Sequence, residues 1–222
     1  VLDAADCPAT FCSPPDLVQG ILSGGAGALV RSSEDLEDRT EDGETAIAQR
    51  DVTQLDVVVG ITAGGTTPFV HGAINAAKSR GATTVFIACV PSEQVSVETD
   101  VDIRLITGPE ILAGSTRLKA GTATKLALNI LSTGVMVKLG KVYGNRMVDV
   151  AVTNRKLQDR ALRILQDLTS LGREAASTLL ENSGKWVKLA ILMHETGLDK
   201  EQGHKLLTQH HGNLRKAIEA KK

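Results

Sequence analysis

The stretch from Val57 to Gly81 constrains the fold more than any other part of the chain. It opens with the apolar run Val57–Ile61, which is typical of a strand buried on both faces. Apolar residues then recur with helical spacing after Pro68, and Gly81 stands where a left-handed residue would end that helix. A strand, a turn and a helix in this order predict one βα unit of a parallel sheet.

The turn within this stretch, Ala63-Gly64-Gly65-Thr66-Thr67, is a candidate phosphate site. Thr67 fits an N-cap and Pro68 the first helical position, so backbone N–H groups and the positive helix end would converge here. The alternative is a tight glycine turn that binds nothing. The turn is not a G-x-G-x-x-G motif, and the later Gly114–Thr122 segment lacks the Gly-Lys-Ser/Thr ending of a P-loop.

The remaining chain alternates between strand and helix patterns. Strands are predicted over Asp16–Leu22, Thr83–Cys89 and Val101–Ile106. Helices are predicted over residues 26–37, 46–54 and 120–139, and over a segment capped by Thr153 and ended by Gly172. This alternation predicts an α/β fold with a doubly wound parallel sheet. Ligands of such sheets bind beyond the carboxyl ends of the strands, where the Ala63–Thr67 turn falls.

The carboxyl-terminal residues differ in character from the rest. A weak internal echo relates the segment from Glu174 to Ile191 to the segment from Glu201 to Ile218, which predicts a small unit of about three helices. We therefore expect one domain over residues 1–171 and a small three-helix, UBA-like unit over 172–222. Four histidines cluster in this unit without a cysteine or acid at ligand spacing, so we expect exposed helix-end histidines and no metal: His194, His204, His210 and His211.

Composition excludes several function classes. A net charge of −1 and an aromatic content of 2% disfavour a nucleic-acid-binding surface. No apolar run approaches the roughly 20 residues of a membrane span. The three cysteines include no CxxC pair, so we expect a reducing cytoplasm, and we expect no signal peptide. The chain begins at Val1 rather than Met, as if in the middle of a longer sequence.

Several blocks of sequence together indicate a family. The blocks that carry the resemblance are Gly108–Ala123, Leu128–Gly134, Gly140–Val150 and Thr153–Leu157, with Leu2–Ala4, Cys7-Pro8, Gly24-Gly25 and Val187–Ile191. They resemble the N-acetylmuramic acid 6-phosphate etherase family over essentially the whole chain. That family shares its sugar-isomerase (SIS) fold, an αβα sandwich, with the glucokinase regulatory protein, which binds sugar phosphates without turning them over.

The resemblance implies a cofactor-free and metal-free lyase of amino sugar catabolism and peptidoglycan recycling. Such enzymes remove D-lactate from N-acetylmuramic acid 6-phosphate by elimination and hydration, which gives N-acetylglucosamine 6-phosphate. The chemistry needs an acid for the departing oxygen and a base for the proton beside the aldehyde. The family's pair maps onto Asp6 and Glu37. On composition alone, the acidic run around Glu37 favours a solvated loop over a catalytic site.

The resemblance also implies a substrate-binding set and a homodimer. The expected contacts to the phosphate or the lactate carboxylate are Thr62, Gly64, Gly65, Thr66, Thr67, Ser115, Arg117 and Lys119. Two departures weaken the expectation of activity. Asp6 replaces the family's glutamate and is shorter by one methylene, and Gly64–Thr67 replaces Ser-Gly-Arg-Thr.

A third departure concerns the start of the chain. The family's amino-terminal helices, first strand and first Gly/Ser/Thr loop would precede Val1. We expect a fragment of a longer product; pairing with another chain and a decayed copy are the alternatives. A non-catalytic sugar-phosphate sensor, an inactive truncated homologue and a structural remnant therefore stay open beside the etherase.

Overall fold

The computed structural model describes residues 1–31 and 34–221 of the chain. They form two compact units. We call residues 21–129 the sheet unit, and residues 1–20 with 130–222 the helical unit. The boundary between residues 171 and 172 that the sequence favours stays a prediction.

The sheet unit is built on three parallel strands in the order β1-β2-β3: β1 (Val57–Thr62), β2 (Thr83–Ala88) and β3 (Val101–Arg104). In the register, Val57 lies opposite Thr83, and Val85 lies opposite Val101. The three strands confirm those predicted over Val57–Ile61, Thr83–Cys89 and Val101–Ile106. The parallel sheet with its helices confirms the α/β class. Because all three strands run the same way, their carboxyl ends form one edge of the sheet.

Strand β1 is not buried on both faces, contrary to its apolar sequence. Val57 is 61% and Val59 is 37% exposed. Within the described residues, β2 is the one strand that pairs with β1, so β1 lies at the edge of this sheet. A run of valines favours a strand but does not specify how many neighbours cover it.

Two helices of the sheet unit cross backbone to backbone, α3 (Thr40–Ala48) and α4 (Pro68–Ser79). A Cβ atom added to Gly72 of α4 would stand 2.2 Å from the carbonyl oxygen of Thr40. Helix α4 begins at Pro68 and is followed by Gly81 at φ 77°, as predicted. Helix α3 ends at Ala48, which is earlier than the helix predicted over residues 46–54.

The segment before α3 also differs from the prediction. Residues 15–17 form a single 3-10 turn rather than part of a strand, because Pro14 and Pro15 favour a turn there. The helix predicted over residues 26–37 includes Ser32 and Ser33, which lie outside the described residues. On either side of them the chain forms a 3-10 helix, Gly25–Leu29, and a short helix, α2 (Glu34–Glu37).

The helical unit contains α1 (Leu2–Phe11), which the sequence did not predict, and a two-residue hairpin of β4 (Val142–Tyr143) and β5 (Arg146–Met147). The long helix α5 (Lys119–Lys138), whose residues up to 129 belong to the sheet unit, and the helix α6 (Arg155–Thr169) confirm predictions, although Asn154 rather than Thr153 caps α6. Four shorter helices follow: α7 (Arg173–Asn182), α8 (Val187–Thr196), α9 (Lys200–Gln209) and α10 (Leu214–Glu219).

The four shorter helices, one more than predicted, form two similar helix pairs, which explains the internal echo. The same spacing separates Leu180 from Leu207 and Lys185 from Gly212. In the first pair the N–H of Lys185 donates to the carbonyl oxygen of Leu180, and in the second pair the N–H of Gly212 donates to that of Leu207, both at 2.8 Å. Lys185 and Gly212 both adopt a left-handed conformation. Leu180 and Leu207 lie in one core with α6. No helix of the described residues has the length and apolarity to cross a membrane.

Candidate functional site

The glycine-threonine turn lies between β1 and α4, at the carboxyl edge of the sheet. Gly65 adopts φ 83°, a left-handed conformation that favours glycine. It is buried against two valines of the segment after β2: a Cβ added to it would stand 3.1 Å from Val95 and 3.2 Å from Val90. The neighbouring Gly64 and Thr66 are exposed. The turn therefore has a fixed inner side and an open outer side.

Two threonine hydroxyls meet at this turn. Thr62 Oγ1 and Thr67 Oγ1 are 2.8 Å apart, with Thr62 buried and Thr67 half-buried. Thr67 occupies the N-cap position of α4, as predicted, but its hydroxyl contacts Thr62 instead of capping the helix. Two hydroxyls carry two hydrogens and their mutual bond uses one, so one hydrogen stays available to an acceptor such as a phosphate oxygen.

His71, in the first turns of α4, anchors this loop and was not predicted from the sequence. Its Nε2 lies 2.8 Å from the carbonyl oxygen of Gly65. The imidazole ring also packs against Phe86 of β2, with 5.9 Å between ring centroids. A lone histidine on a helix carries no motif, so only the three-dimensional contact identifies it.

Arg104 holds the segment against which Gly65 packs. It ends β3, and its guanidinium donates to the carbonyl oxygens of Val90 at 3.2 Å and Val95 at 2.8 Å. It also pairs with Asp102 and lies over the Phe86 ring, 5.1 Å from the centroid. Arg104 thus fixes one wall of the loop, a second contact that the sequence did not predict.

The start of α5 lies close to the same edge. The backbone N–H of Cys89 donates to Ala63 at 2.9 Å, and the Cys89 thiol is 3.8 Å from the carbonyl oxygen of Ala120 and from Thr124 Oγ1. The Glu110 carboxylate accepts hydrogen bonds from the N–H groups of Lys119 and Ala120, both at 2.9 Å. Those bonds lower the pKa of Glu110.

These contacts distinguish two helix N-termini at this edge. The N-terminus of α5 is already occupied by the Glu110 carboxylate. The first turn of α4 carries no acid. A bound anion is therefore favoured at α4 and disfavoured at α5, because like charges repel.

The other predicted binding residues surround the start of α5. Lys119 donates from Nζ to the carbonyl oxygen of Thr107 at 2.8 Å. Ser115 is half-buried and Arg117 is exposed in the segment that leads into the helix. Lys119 is thus tied to the loop after β3, while the Arg117 guanidinium faces solvent.

The two predicted catalytic carboxylates lie in different units. Glu37 is the last residue of α2, is exposed, and belongs to the sheet unit, where α2 packs against α4. Asp6 is exposed on α1 of the helical unit, beside the buried Cys7. Burial raises the pKa of the Cys7 thiol, and Asp3 and Asp6 raise it further. In the sheet unit, then, the structure brings Glu37 to the helix that follows the glycine-threonine turn.

Among the residues that the structure describes, no group of histidine, cysteine and acidic side chains is arranged to hold a metal ion. Of the four clustered histidines, His204 contacts Trp186 edge to face, at 5.5 Å between centroids. His194 and His210 lie at or near helix ends.

Comparison with known proteins gives two family matches within the chain. Residues 9–78 match the glucokinase regulatory protein N-terminal SIS domain. Residues 144–184 match the C-terminal lid domain of glucokinase regulatory protein.

Curated relatives match nearly the whole chain, and three named N-acetylmuramic acid 6-phosphate etherase illustrate the likeness. The Trichormus variabilis protein is 79% identical over 98% of this chain and 71% of its own length. The Nostoc punctiforme protein is 78% identical over the same shares. The Rippkaea orientalis protein is 73% identical over 100% of this chain and 72% of its own length.

Proposed function

The chain belongs to the N-acetylmuramic acid 6-phosphate etherase family, and from this premise we propose that it cleaves the D-lactyl ether of that sugar phosphate. The products are N-acetylglucosamine 6-phosphate and D-lactate, so the protein acts in catabolism of cell-wall amino sugars. The observation that carries this conclusion is the identity of 79% over 98% of the chain to a relative of that name. Identity of this extent leaves little room for a different reaction.

We place the 6-phosphate of the substrate at the turn from Thr62 to Thr67. Three observations support this position. One threonine hydroxyl hydrogen is left over from the Thr62–Thr67 bond. The first turn of α4 carries no acid. The competing N-terminus of α5 is occupied by Glu110. Of the two candidate cations, Arg117 and Lys119, we propose Arg117 as the contact to the lactate carboxylate, with Ser115 as a hydrogen-bond donor. Arg117 is exposed, whereas Lys119 Nζ already donates to the carbonyl oxygen of Thr107.

The reaction proceeds in two balanced steps. Glu37 removes the proton from C2 of the open-chain sugar, the electron pair forms the C2–C3 double bond, and the C3–O bond to lactate breaks. Asp6 gives its proton to the departing oxygen, which leaves as the hydroxyl of D-lactate. Water then adds its hydroxyl group to C3 while one of its protons passes to Asp6, and Glu37 returns its proton to C2. Each carboxyl group ends in the protonation state in which it began.

A second candidate function is sugar-phosphate binding without turnover. It is favoured by the two matches to glucokinase regulatory protein and by Asp6, whose carboxyl reaches less far than a glutamate's. The two functions predict different outcomes with the same ligand: the sensor binds the sugar phosphate and releases no lactate.

Two finer points belong to the same proposal. A homodimer is supported by apolar side chains that α5 leaves exposed, including Leu126 at 59% and Ile130 at 73%. A second copy packed on this helix would remove them from water.

A cytoplasmic location is supported by the three free thiols Cys7, Cys12 and Cys89, since disulfides are rare in reducing compartments.

The decisive experiment measures D-lactate released from N-acetylmuramic acid 6-phosphate by the purified protein. Glu37→Gln removes the base, and we expect lactate release to fall by about 10²–10⁴-fold. Asp35→Asn, on an exposed residue of the same helix, is the matched control and should keep wild-type activity. If Glu37→Gln releases lactate at the wild-type rate, the role of Glu37 is wrong. Stabilisation by the sugar phosphate without lactate release favours the sensor.

A further inference from the structure

The contact between His71 and Gly65 fixes one peptide group of the glycine-threonine turn. His71 Nε2 is 2.8 Å from the Gly65 carbonyl oxygen. A carbonyl oxygen only accepts hydrogen bonds, so the hydrogen of this bond lies on Nε2 and the imidazole donates. The bond is formed by the neutral Nε2–H tautomer and by the imidazolium alike.

Peptide planarity transmits this contact to the next residue. The peptide bond between Gly65 and Thr66 is trans. In a planar trans peptide the carbonyl oxygen and the following N–H point in opposite directions. When His71 holds the Gly65 oxygen, the Thr66 N–H is therefore directed away from the imidazole ring.

The Thr66 N–H is available on the open side of the turn. Gly65 is buried, whereas Thr66 is exposed. Within the described residues, no backbone or side-chain oxygen accepts the Thr66 N–H. A backbone donor that is held in one direction and has no protein acceptor is suited to an anionic oxygen.

Further contacts hold His71 and Gly65 in place. The His71 ring packs on Phe86, which is fully buried and lies beneath the Arg104 guanidinium at 5.1 Å. On its other side Gly65 contacts Val90 and Val95, whose backbone Arg104 holds. The Gly65 peptide therefore lies between helix α4 and the segment that contains Val90 and Val95, and a rotation of this peptide would break its contacts with both.

We propose that His71 is a positioning residue that holds the Gly65 carbonyl and thereby aims the Thr66 N–H at the substrate phosphate. This role rests on the proposed function, in which the turn seats the 6-phosphate. His71 does not touch the substrate. It acts through the orientation of a backbone donor whose hydrogen bond to a charged group contributes about 1.5–3 kcal/mol.

The test compares the wild type with His71→Leu and His71→Gln. Glutamine keeps an N–H donor near the position of Nε2, whereas leucine removes it. With N-acetylglucosamine 6-phosphate as the probe, we expect His71→Leu to raise Kd about tenfold or more, which is the loss of one such bond. His71→Gln should stay close to wild type, as should the control His194→Leu, on an exposed residue of the helical unit. In lactate release, His71→Leu should raise KM more than it lowers kcat.

Three results would overturn the role of His71: wild-type affinity in His71→Leu, equal loss in both variants, or a Thr66 amide unaffected by the probe. The last is measured on the wild type as the downfield NMR shift of the Thr66 amide proton, so it does not depend on variant folding. Wild-type protein that shows this shift but releases no lactate keeps the inference and rejects the etherase. Wild-type protein that neither binds the probe nor releases lactate rejects both.

Discussion

Gly43 of α3 lies against the carbonyl oxygen of Phe69 in α4, so closely that an added Cβ atom would stand 2.0 Å from that oxygen. Gly72 of α4 makes the reciprocal approach to Thr40. The two helices therefore touch through their backbones. Because Glu37 ends the short helix just before α3, this crossing fixes the segment that carries Glu37 beside the helix that follows the glycine-threonine turn.

Replacing Gly43 by alanine should separate α3 from α4. Alanine gains about 1 kcal/mol of helix propensity, but overpacking against backbone costs about 3 kcal/mol, so we expect a net loss of about 2 kcal/mol. The kcat for lactate release should fall as well, because the Glu37 segment moves. Denaturant unfolding and a lactate assay measure the two effects. Gly27→Ala is the control, since no atom lies within 4 Å of a Cβ there; equal behaviour of the two variants would contradict the close crossing.

Thr67→Val should weaken binding of sugar phosphates. The variant removes the half-buried Thr67 hydroxyl and leaves only the Thr62 hydroxyl, which is buried and therefore less able to donate to the phosphate. Loss of one hydrogen bond to a charged group corresponds to about a tenfold rise in Kd. Calorimetry with N-acetylglucosamine 6-phosphate measures it. Thr83→Val, on an exposed residue at the opposite end of β2, should bind like wild type. Unchanged affinity in Thr67→Val would place the phosphate elsewhere.

The sequence predicts the βα unit well because its signals are local. Thr67, Pro68 and Gly81 each set a backbone conformation at one position, and the helix begins and ends accordingly. Helix α1 was not predicted because Pro8 lies inside it, where a proline removes one N–H donor. The strands of the β4–β5 hairpin have only two residues each, which is too short for a periodic pattern.

The candidate site could be predicted only in part. Thr62 and Thr67 follow from a turn at the carboxyl end of a strand, but their mutual contact does not. His71 and Arg104 act through backbone carbonyl groups, and Glu110 through N–H groups of a helix nine residues further on. Such contacts depend on where the backbone passes, which a single sequence does not specify. Asp6 and Glu37 come from family resemblance alone, and their roles stay predictions.

Glu110 should make the stability of the protein sensitive to acid. Its native pKa is lowered from 4.5, chiefly by the hydrogen bonds from Ala120 and Lys119. The native state therefore binds its proton less tightly than the unfolded chain. The stabilisation is complete above about pH 4.5 and is lost as pH falls through the lowered native pKa.

Glu110→Gln removes this dependence. We expect the difference in melting temperature between wild type and Glu110→Gln to be largest near neutral pH and to shrink as pH falls below about 4. Glu41→Gln, on an exposed residue of α3, is the matched control. A difference that stays constant across this range would show that the Glu110 charge does not stabilise the start of α5.

The helical unit contains a buried ion pair between Lys188 and Asp149. The Lys188 side chain is only 2% exposed and contacts Asp149, which also accepts from Trp186 Nε1 at 3.2 Å and pairs with Lys141 at 3.3 Å. Lys188 also donates to the Gly212 carbonyl oxygen at 2.8 Å. Burial lowers the pKa of Lys188, although its bond to Asp149 opposes that change.

Lys188→Met should destabilise the protein by about 3 kcal/mol, because Asp149 loses a buried partner. Replacing both residues, as Lys188→Met with Asp149→Leu, should cost less than the sum of the single changes. Since the unfolded chain holds the Lys188 proton more tightly, the stability advantage of wild type over Lys188→Met should grow as pH rises towards about 10.5. Denaturant unfolding measures both effects; strict additivity would contradict a coupled pair.

The most direct test of the central claim follows the atoms of the reaction in oxygen-18 water. The purified protein is given N-acetylmuramic acid 6-phosphate, and both products are analysed by mass spectrometry. Elimination and hydration at this site predict D-lactate without label and N-acetylglucosamine 6-phosphate with one labelled oxygen at C3. Label in the lactate, or a bound sugar phosphate that releases no lactate at all, would contradict the account.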